Sequence, residues 1–334
     1  MKMRLCFIAV IIAVCSLSLA TACKSKSNQV VTIVASDAGW DSQKIHNTLA
    51  KIIIENAFDG YAFRESTASS TMVWESMKNG DIDINIETWA DNVASYPEDV
   101  KNGDVVNLGV LVEDSRQGIY VPRYVVEGDP KRGIAATAPT LRRVEDLLKY
   151  PKVFPDDENP SRGRLYGAIP GWMCDEILYK KYQLYGIDKD FNYMRLGSEA
   201  ALFASLMSAY NLGIGWVGYC YEPTWIVGKL DLLILEDAPY EQDAFLEGKT
   251  EFSTQKLLNC CSRYFQAKAP DVAEFLKKYK TGSGLISEAL AYLDETKKTY
   301  EETSVWFLKK YDNLIDEWLP PQNAKKMRDY LSKK

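Results

Sequence analysis

Gly167-Ala168-Ile169-Pro170-Gly171-Trp172-Met173-Cys174 is the stretch on which the reading of this chain turns. A short apolar run enters it at Leu165, and the Pro170-Gly171 pair breaks the run as a turn. A helical pattern then leaves with Asp175 and Glu176 in its first turn, where acids suit the helix dipole. Trp172 therefore stands where a strand ends and a helix begins, and in α/β sheets ligands are met in the crevice just outside such strand ends. A lone Trp there is more readily a core residue. Three further aromatics, Trp40, Trp89 and Tyr221, stand at similar junctions, and this raises the question of what they surround.

Outward from this turn the pattern alternates strand and helix. Residues 30–35 are apolar and β-branched, a buried first strand whose exit loop carries Gly39-Trp40-Asp41-Ser42. Asp41 or Ser42 suits a helix cap, and Ile45, Leu49, Ile52 and Ile53 then form one helical face. His46 lies beside that face and is expected at its surface or boundary. Residues 61–65 begin a second strand, and 69–78 read as a helix stopped at Asn79-Gly80. Residues 81–87 alternate, with Ile82, Ile84 and Ile86 on one face and polar residues on the other, and they run into Thr88-Trp89. Residues 105–112 and 117–121 read as two short strands.

The second half continues the pattern. A short helix is expected over 141–149, and the acidic run Asp156-Asp157-Glu158-Asn159 reads as a solvated loop without the spacing of a calcium loop. Helices are expected over 176–185 and 200–210, strands over 212–218 and 230–235, and helices over 254–267, 271–280, 284–298 and 300–318. The order β-α-β-α-β in the first part implies a largely parallel, helix-covered sheet.

Composition narrows the chemistry. The chain has 334 residues, 46% apolar and 26% charged, which is ordinary for one large or two medium globular domains. A formal charge of −6 argues against a nucleic-acid partner, which demands clustered Lys and Arg. The single histidine, His46, argues against a Ser-His-Asp triad or a His-rich metal site. No cofactor motif, metal set or nucleophile–base pair is evident.

The N-terminus reads as a targeting segment. Lys2 and Arg4 precede an apolar run over 6–19 that is too short to span a membrane comfortably. Leu19-Ala20-Thr21-Ala22-Cys23 then resembles a bacterial lipoprotein cleavage site, with Ala20 where a Leu usually stands. This reading makes 1–22 a signal peptide, Cys23 the lipidated residue and 23–29 a linker, and it places the mature protein outside the cytoplasm, tethered to a membrane. Of seven cysteines, Cys174, Cys220, Cys260 and Cys261 remain, enough for disulfides in three pairings. A Cys174–Cys220 bridge is the expectation if Trp172 and Tyr221 meet.

Aromatic faces attract a cation held over them, with quaternary ammonium cages the known use, at roughly 0.5–2 kcal/mol per ring. A methylated ammonium has no N–H to donate, so rings suit it better than oxygens. At this point the chain resembles the substrate-binding proteins of glycine betaine/choline-type ABC importers. The shared landmarks, in order, are Gly39-Trp40 after the first strand, Lys78-Asn79-Gly80-Asp81-Ile82-Asp83 leading to Thr88-Trp89, Pro170-Gly171-Trp172, Gly197-Ser198-Glu199-Ala200-Ala201, and Tyr221-Glu222-Pro223-Thr224-Trp225.

The resemblance implies an α/β, type II periplasmic-binding-protein fold: two lobes closing on a hinge around an inter-lobe cleft. Residues 28–121 and 236–334 would form lobe 1, and 122–235 lobe 2. Trp89 and Trp172 match cage tryptophans. Tyr221 falls where many members have Trp, a departure that leaves ligand choice open. Trp225 matches a second aromatic of that motif and reads more as support packing. Trp40 matches choline-binding relatives, with Asp41 either a ligand contact or simply the helix cap. The N–H groups of Met173 and Cys174 are candidates for a zwitterion's carboxylate, which a choline-type site does not need. The implied partners are a quaternary ammonium ligand (glycine betaine, proline betaine, choline or carnitine), an ABC permease with its ATPase, and a membrane reached through the lipid anchor, with the protein itself a monomer. Two rival readings remain: an extracytoplasmic carboxylate-dependent hydrolase using Asp81/Asp83 or Asp156/Asp157, and a sensory or scaffold lipoprotein whose aromatics are core.

Overall fold

The structure, a computed structural model, describes residues 30–252 and 254–334. The signal peptide, Cys23 and the linker lie outside the described residues. The first part follows the expected alternation: β1 (Val31–Asp37), α1 (Asp41–Ala57), β2 (Tyr61–Thr67), α2 (Ser70–Asn79) and β3 (Ile84–Thr88). Strand β1 runs parallel to both β2 and β3. Ser69 caps α2 by accepting from the Met72 N–H, and Gly80 ends it in the left-handed conformation at φ 86°.

Two expectations fail next to each other. Residues 254–267 do not form a helix: Gln255–Ser262 is strand β9, antiparallel to β3 on one side and to β4 (Val105–Pro122) on the other. A strand covered on both faces has no alternation to display, so its apolar run could not be told from a buried helix. Nor are 105–112 and 117–121 separate. They are one strand of 18 residues, bent by register shifts between Asn107 and Ser115. Its first part, to Ser115, pairs with β9, and from Arg116 onward it pairs with β7 (Gly218–Glu222) and β8 (Leu232–Ile234).

β4 thereby joins two halves of a sheet ordered β2-β1-β3-β9-β4-β7-β5-β6, where β5 is Gly163–Tyr166 and β6 is Phe191–Met194. Helices Met173–Leu184 (here α3) and Glu199–Leu212 (α4) cover the second half. Ser198 caps α4 by accepting from the Ala201 N–H at 3.2 Å. The segment expected as a strand over 212–218 is instead the end of α4, a turn at Gly213 and the entry to β7. Residues 141–149 contribute only a 3₁₀ turn over Val144–Lys149.

Short helix α5 (Trp225–Lys229) follows β7, and the tail folds as α6 (Pro270–Lys278), α7 (Ser283–Thr296), α8 (Tyr300–Lys310), α9 (Asn313–Trp318) and α10 (Pro321–Leu331). These pack with α1 over one core that includes Ile33, Leu49, Leu257, Phe307 and Trp318. A second core runs from Trp40 and Trp74 through Trp172 to Leu165, Phe191 and Phe203. No helix among the described residues is long and apolar enough to cross a membrane.

The acidic loop is exposed as expected at Asp157 and Glu158 but not at Asp156. Asp156 is buried, ion-paired with Arg164 and hydrogen-bonded by Asn192 at 2.7 Å. Among the described residues no group of three or more His, Cys, Asp or Glu is placed to hold a metal ion.

Candidate functional site

Where the two halves of the sheet face each other, the strand-end aromatics meet. Trp40 ends the loop after β1, Trp89 follows β3, Trp172 follows the turn after β5, and Tyr221 lies on β7. The Pro170-Gly171 turn that delivers Trp172 depends on its glycine: φ is +90°, and a Cβ there would come within 2.8 Å of Ser69. The Trp172 ring N–H then donates to the Ala38 carbonyl at 3.0 Å, tying this turn to the loop that carries Trp40.

The rings form a chain of right-angled pairs. Trp40 and Trp172 are 5.4 Å apart at 87°, Trp172 and Tyr221 5.9 Å at 85°, and Tyr221 and Trp89 5.7 Å at 85°. Tyr219, one alternation before Tyr221 on the same strand face, stacks on it at 6.1 Å. With Trp74, Met173 and Cys174 they enclose about 500 Å³ of empty space, mouth included. The lining is largely apolar, with a few polar groups from β3 and the turn after it: Asn85, Glu87, Thr88 and Asn92.

Of the sequence-derived site residues, Trp40, Trp89, Trp172, Met173, Cys174 and Tyr221 line this cavity. Asp41 and Trp225 do not. Asp41 is the first residue of α1 but makes no cap bond: its carboxylate accepts from the Tyr300 hydroxyl, and its N–H donates to Glu199 at 2.8 Å. Trp225 packs edge-on against Phe203 and under the Lys229 ammonium. The Met173 N–H donates to the Ser70 hydroxyl at 3.0 Å. Ser70 also donates to the Gly171 carbonyl, so this edge of the cavity is fastened across from α2 to the turn.

The Cys174–Cys220 bridge is not formed. All four cysteines are free and buried. Strand alternation puts Cys220 on the opposite face of β7 from Tyr219 and Tyr221, while Cys174 lies against Tyr219. Burial pushes the Cys174 thiol up to about 12, so it is a protonated wall atom. The carboxylate pairs of the hydrolase reading do not line the cavity either. Asp83 is held by the Val34 N–H at 2.8 Å and by Lys268 at 2.7 Å, a structural arrangement.

Two buried acids fall outside the site residues drawn from the sequence. Glu199, the first residue of α4, accepts from the Asp41 N–H and, at 2.7 Å, from the Tyr221 hydroxyl. It thereby holds the ring that replaces a tryptophan. Burial, reinforced by Asp41, pushes its carboxyl up to about 8. Glu87 is fully buried at the cavity wall, with φ at +71°, at a register shift in the pairing of β3 with β9. A bulge re-aims a side chain out of the strand's alternation. One oxygen, Oε1, accepts from the Ser42 hydroxyl at 2.8 Å and the Trp89 ring N–H at 3.2 Å.

The other oxygen of Glu87, Oε2, has no hydrogen-bond partner and faces His46 Nε2, likewise unpartnered, at 3.9 Å. His46 is thus not a surface residue: it is fully buried, and its Nδ1 is 3.0 Å from the Tyr279 hydroxyl. Burial pushes Glu87 up to about 8 and His46 down to about 3. The signal for this floor was present in α1, where Ser42 and His46, and Gln43 and Asn47, stand four apart and are all buried.

Comparison with known proteins gives the chain's relatives. Residues 31–310 match the family described as the substrate binding domain of ABC-type glycine betaine transport systems. A glycine betaine-binding periplasmic protein, OusX of Dickeya dadantii, is 29% identical over 154 residues, 43% of each chain, so the match spans about two-fifths of that relative's length. Among solved structures, a choline binding protein of an ABC transporter superposes with TM-score 0.72 at 17% identity, over 92% of this chain and all of that one. The glycine betaine, L-proline-binding protein ProX of Borrelia burgdorferi gives 0.70 at 17% identity, over 89% and 99%. At such identities the structures establish the fold, that of the two-lobed type II periplasmic binding proteins. With the family match covering most of the chain, this protein belongs to the family of substrate-binding domains of ABC-type glycine betaine transport systems.

Proposed function

We propose that the cavity holds the ammonium head of a quaternary ammonium compound among Trp40, Trp89, Trp172 and Tyr221, and that the protein hands this ligand to an ABC permease. The observation that carries the reading is four aromatic rings, set at right angles to one another, lining one cavity. Three or four such faces with methyl burial fit micromolar affinity, about −8 kcal/mol. Asp41 and Trp225 act as support for the walls: Asp41 through Tyr300 and Glu199, Trp225 through Phe203.

The lobes of this reading meet along β4. Because β4 changes partners at Ser115/Arg116, and because Asp237 pairs with Lys181 and Phe252 packs on Tyr219, we place the crossings near 115 and 254, enlarging lobe 2 at both ends relative to 122–235. Lobe closure would make the bonds across the cleft, Ser70 with Gly171 and Met173, and Asp41 with Glu199. An anchor at Cys23 would keep the protein beside its permease.

The test is isothermal titration of folded protein lacking residues 1–23 against glycine betaine, proline betaine, carnitine and choline. Micromolar binding to at least one is expected. No heat from any of them, with the protein shown to be folded, would overturn the cage.

A further inference from the structure

The ammonium cage leaves one feature of the site unused: a buried carboxyl in its wall with a vacant acceptor. Glu87 has one oxygen engaged, while the other has no partner at hydrogen-bond geometry, with His46 Nε2 at 3.9 Å and the Trp40 ring N–H on the same side. A purely structural buried acid would be satisfied, because an unpartnered buried acceptor is costly. Here the strained φ of +71° and the bulge in β3 hold the carboxyl in place regardless. The Trp40 ring N–H, on the Glu87 side, also lacks an acceptor at hydrogen-bond geometry. Meanwhile the Met173 N–H, the natural dock for a ligand carboxylate at the start of α3, is already donated to Ser70. The wall thus carries a latent negative charge and has spent one of its anion donors.

We infer that Glu87 sets the charge class of the ligand: the site takes a quaternary ammonium cation without a carboxylate, of the choline kind, with Glu87 ionised, and disfavours the zwitterion of the same head group. This rests on the caging of an ammonium head proposed above. The cation's charge is balanced by Glu87 across a dry wall, where an unpaired carboxylate alone would be strongly disfavoured. A betaine brings its own carboxylate and, once Glu87 is ionised, would set two anions in one buried site. In the empty site Glu87 holds its proton, since burial raises it to about 8. Entry of the cation displaces that proton to solvent.

The groups facing Glu87 do not supply the missing charge. His46 on α1 is pushed down by burial and stays neutral, Tyr279 behind it is raised well above its usual range, and Ser42 is uncharged. Tyr221 on β7 is raised well above its usual range, and the Glu199 carboxyl behind it is itself pushed up to about 8. No Lys or Arg lines the cavity.

The experiment is calorimetric titration of choline and of glycine betaine into wild type and Glu87→Gln between pH 6 and 8.5, in two buffers of different ionisation enthalpy. For wild type, choline should bind at least about tenfold more tightly than glycine betaine at pH 8.5. Its affinity should rise by up to about tenfold per pH unit below 8, with close to one proton released per cation bound. In Glu87→Gln the pH slope should vanish and the preference shrink to within about threefold. Tighter binding of glycine betaine than choline by wild type, or choline binding with neither pH dependence nor proton release, would overturn the role of Glu87 while leaving the cage standing. Binding of neither ligand overturns both. If the variant fails to fold, the wild-type preference still tests the proposal, since tighter binding of glycine betaine than of choline overturns it.

Discussion

Two buried acid–base pairs in this molecule look alike in composition and differ in finish. Lys181 and Asp237, away from the cavity, are in direct contact: Lys181 also donates to the Thr250 carbonyl, and Asp237 accepts from the Tyr185 hydroxyl and the Ala238 N–H. His46 and Glu87, in the cavity wall, stop at 3.9 Å with the facing atoms unpartnered. The first pair is closed around itself and serves the fold. The second keeps an acceptor in reserve beside a ring of aromatics, as a site does when its last partner arrives from outside. A buried charge therefore says little by itself, and the unfilled valence is what separates a ligand-facing group from a structural one.

The sharpest way to press this contrast is to break each pair. Lys181→Ala leaves Asp237 buried without its cation and should lower unfolding free energy by about 3–5 kcal/mol. Urea unfolding reads this, while ligand affinity per folded molecule stays within twofold of wild type. Trp172→Ala should do the reverse. It removes the ring shared by two right-angled pairs, so affinity should fall at least tenfold by titration. Unchanged affinity would remove Trp172 from the cage.

Protonation offers a gentler probe. The folded pKa values of Glu87 and Glu199 are raised to about 8, so between their unfolded value and 8 the folded state holds more protons than the unfolded one. Stability from these acids is present at low pH and lost as pH rises. His46, lowered to about 3, works in the opposite sense up to its ordinary value of 6.5. The fall should therefore be unopposed between pH 6.5 and 8, seen as a declining melting temperature of ligand-free protein, and Glu87→Gln should flatten part of it. Asp41→Asn and Trp225→Ala, which lie outside the cavity lining, should give the smallest effects, within about threefold in affinity. A tenfold loss at either would extend the cage beyond the four rings.

Much of the framework was legible because its signals are local. The alternation of β1, α1, β2, α2 and β3 follows from hydrophobic period and from punctuation at Gly80 and Pro170-Gly171. The aromatics at the strand ends could be picked out one by one. Strand β9 was misread because a strand buried on both faces loses its period, and its place between β3 and β4 is decided by partners far away in the chain. Likewise β4 was read as two strands because Glu113, Asp114 and Ser115 interrupt its apolar run, whereas pairing with β9 and then β7 carries it through.

The site divides along the same line. That Trp40, Trp89, Trp172 and Tyr221 would stand at strand ends was determined by the chain itself, through turn chemistry and pattern. That they meet at right angles, that Glu87 is fully buried in the same cavity wall, and that His46 is buried behind it were decided only by tertiary structure. A residue's place along an element is a matter of short-range periodicity, but its neighbours across a cleft are set by how separate elements pack. Burial and charge pairing, the quantities that turn an ordinary Glu into a selective one, exist only once that packing is complete.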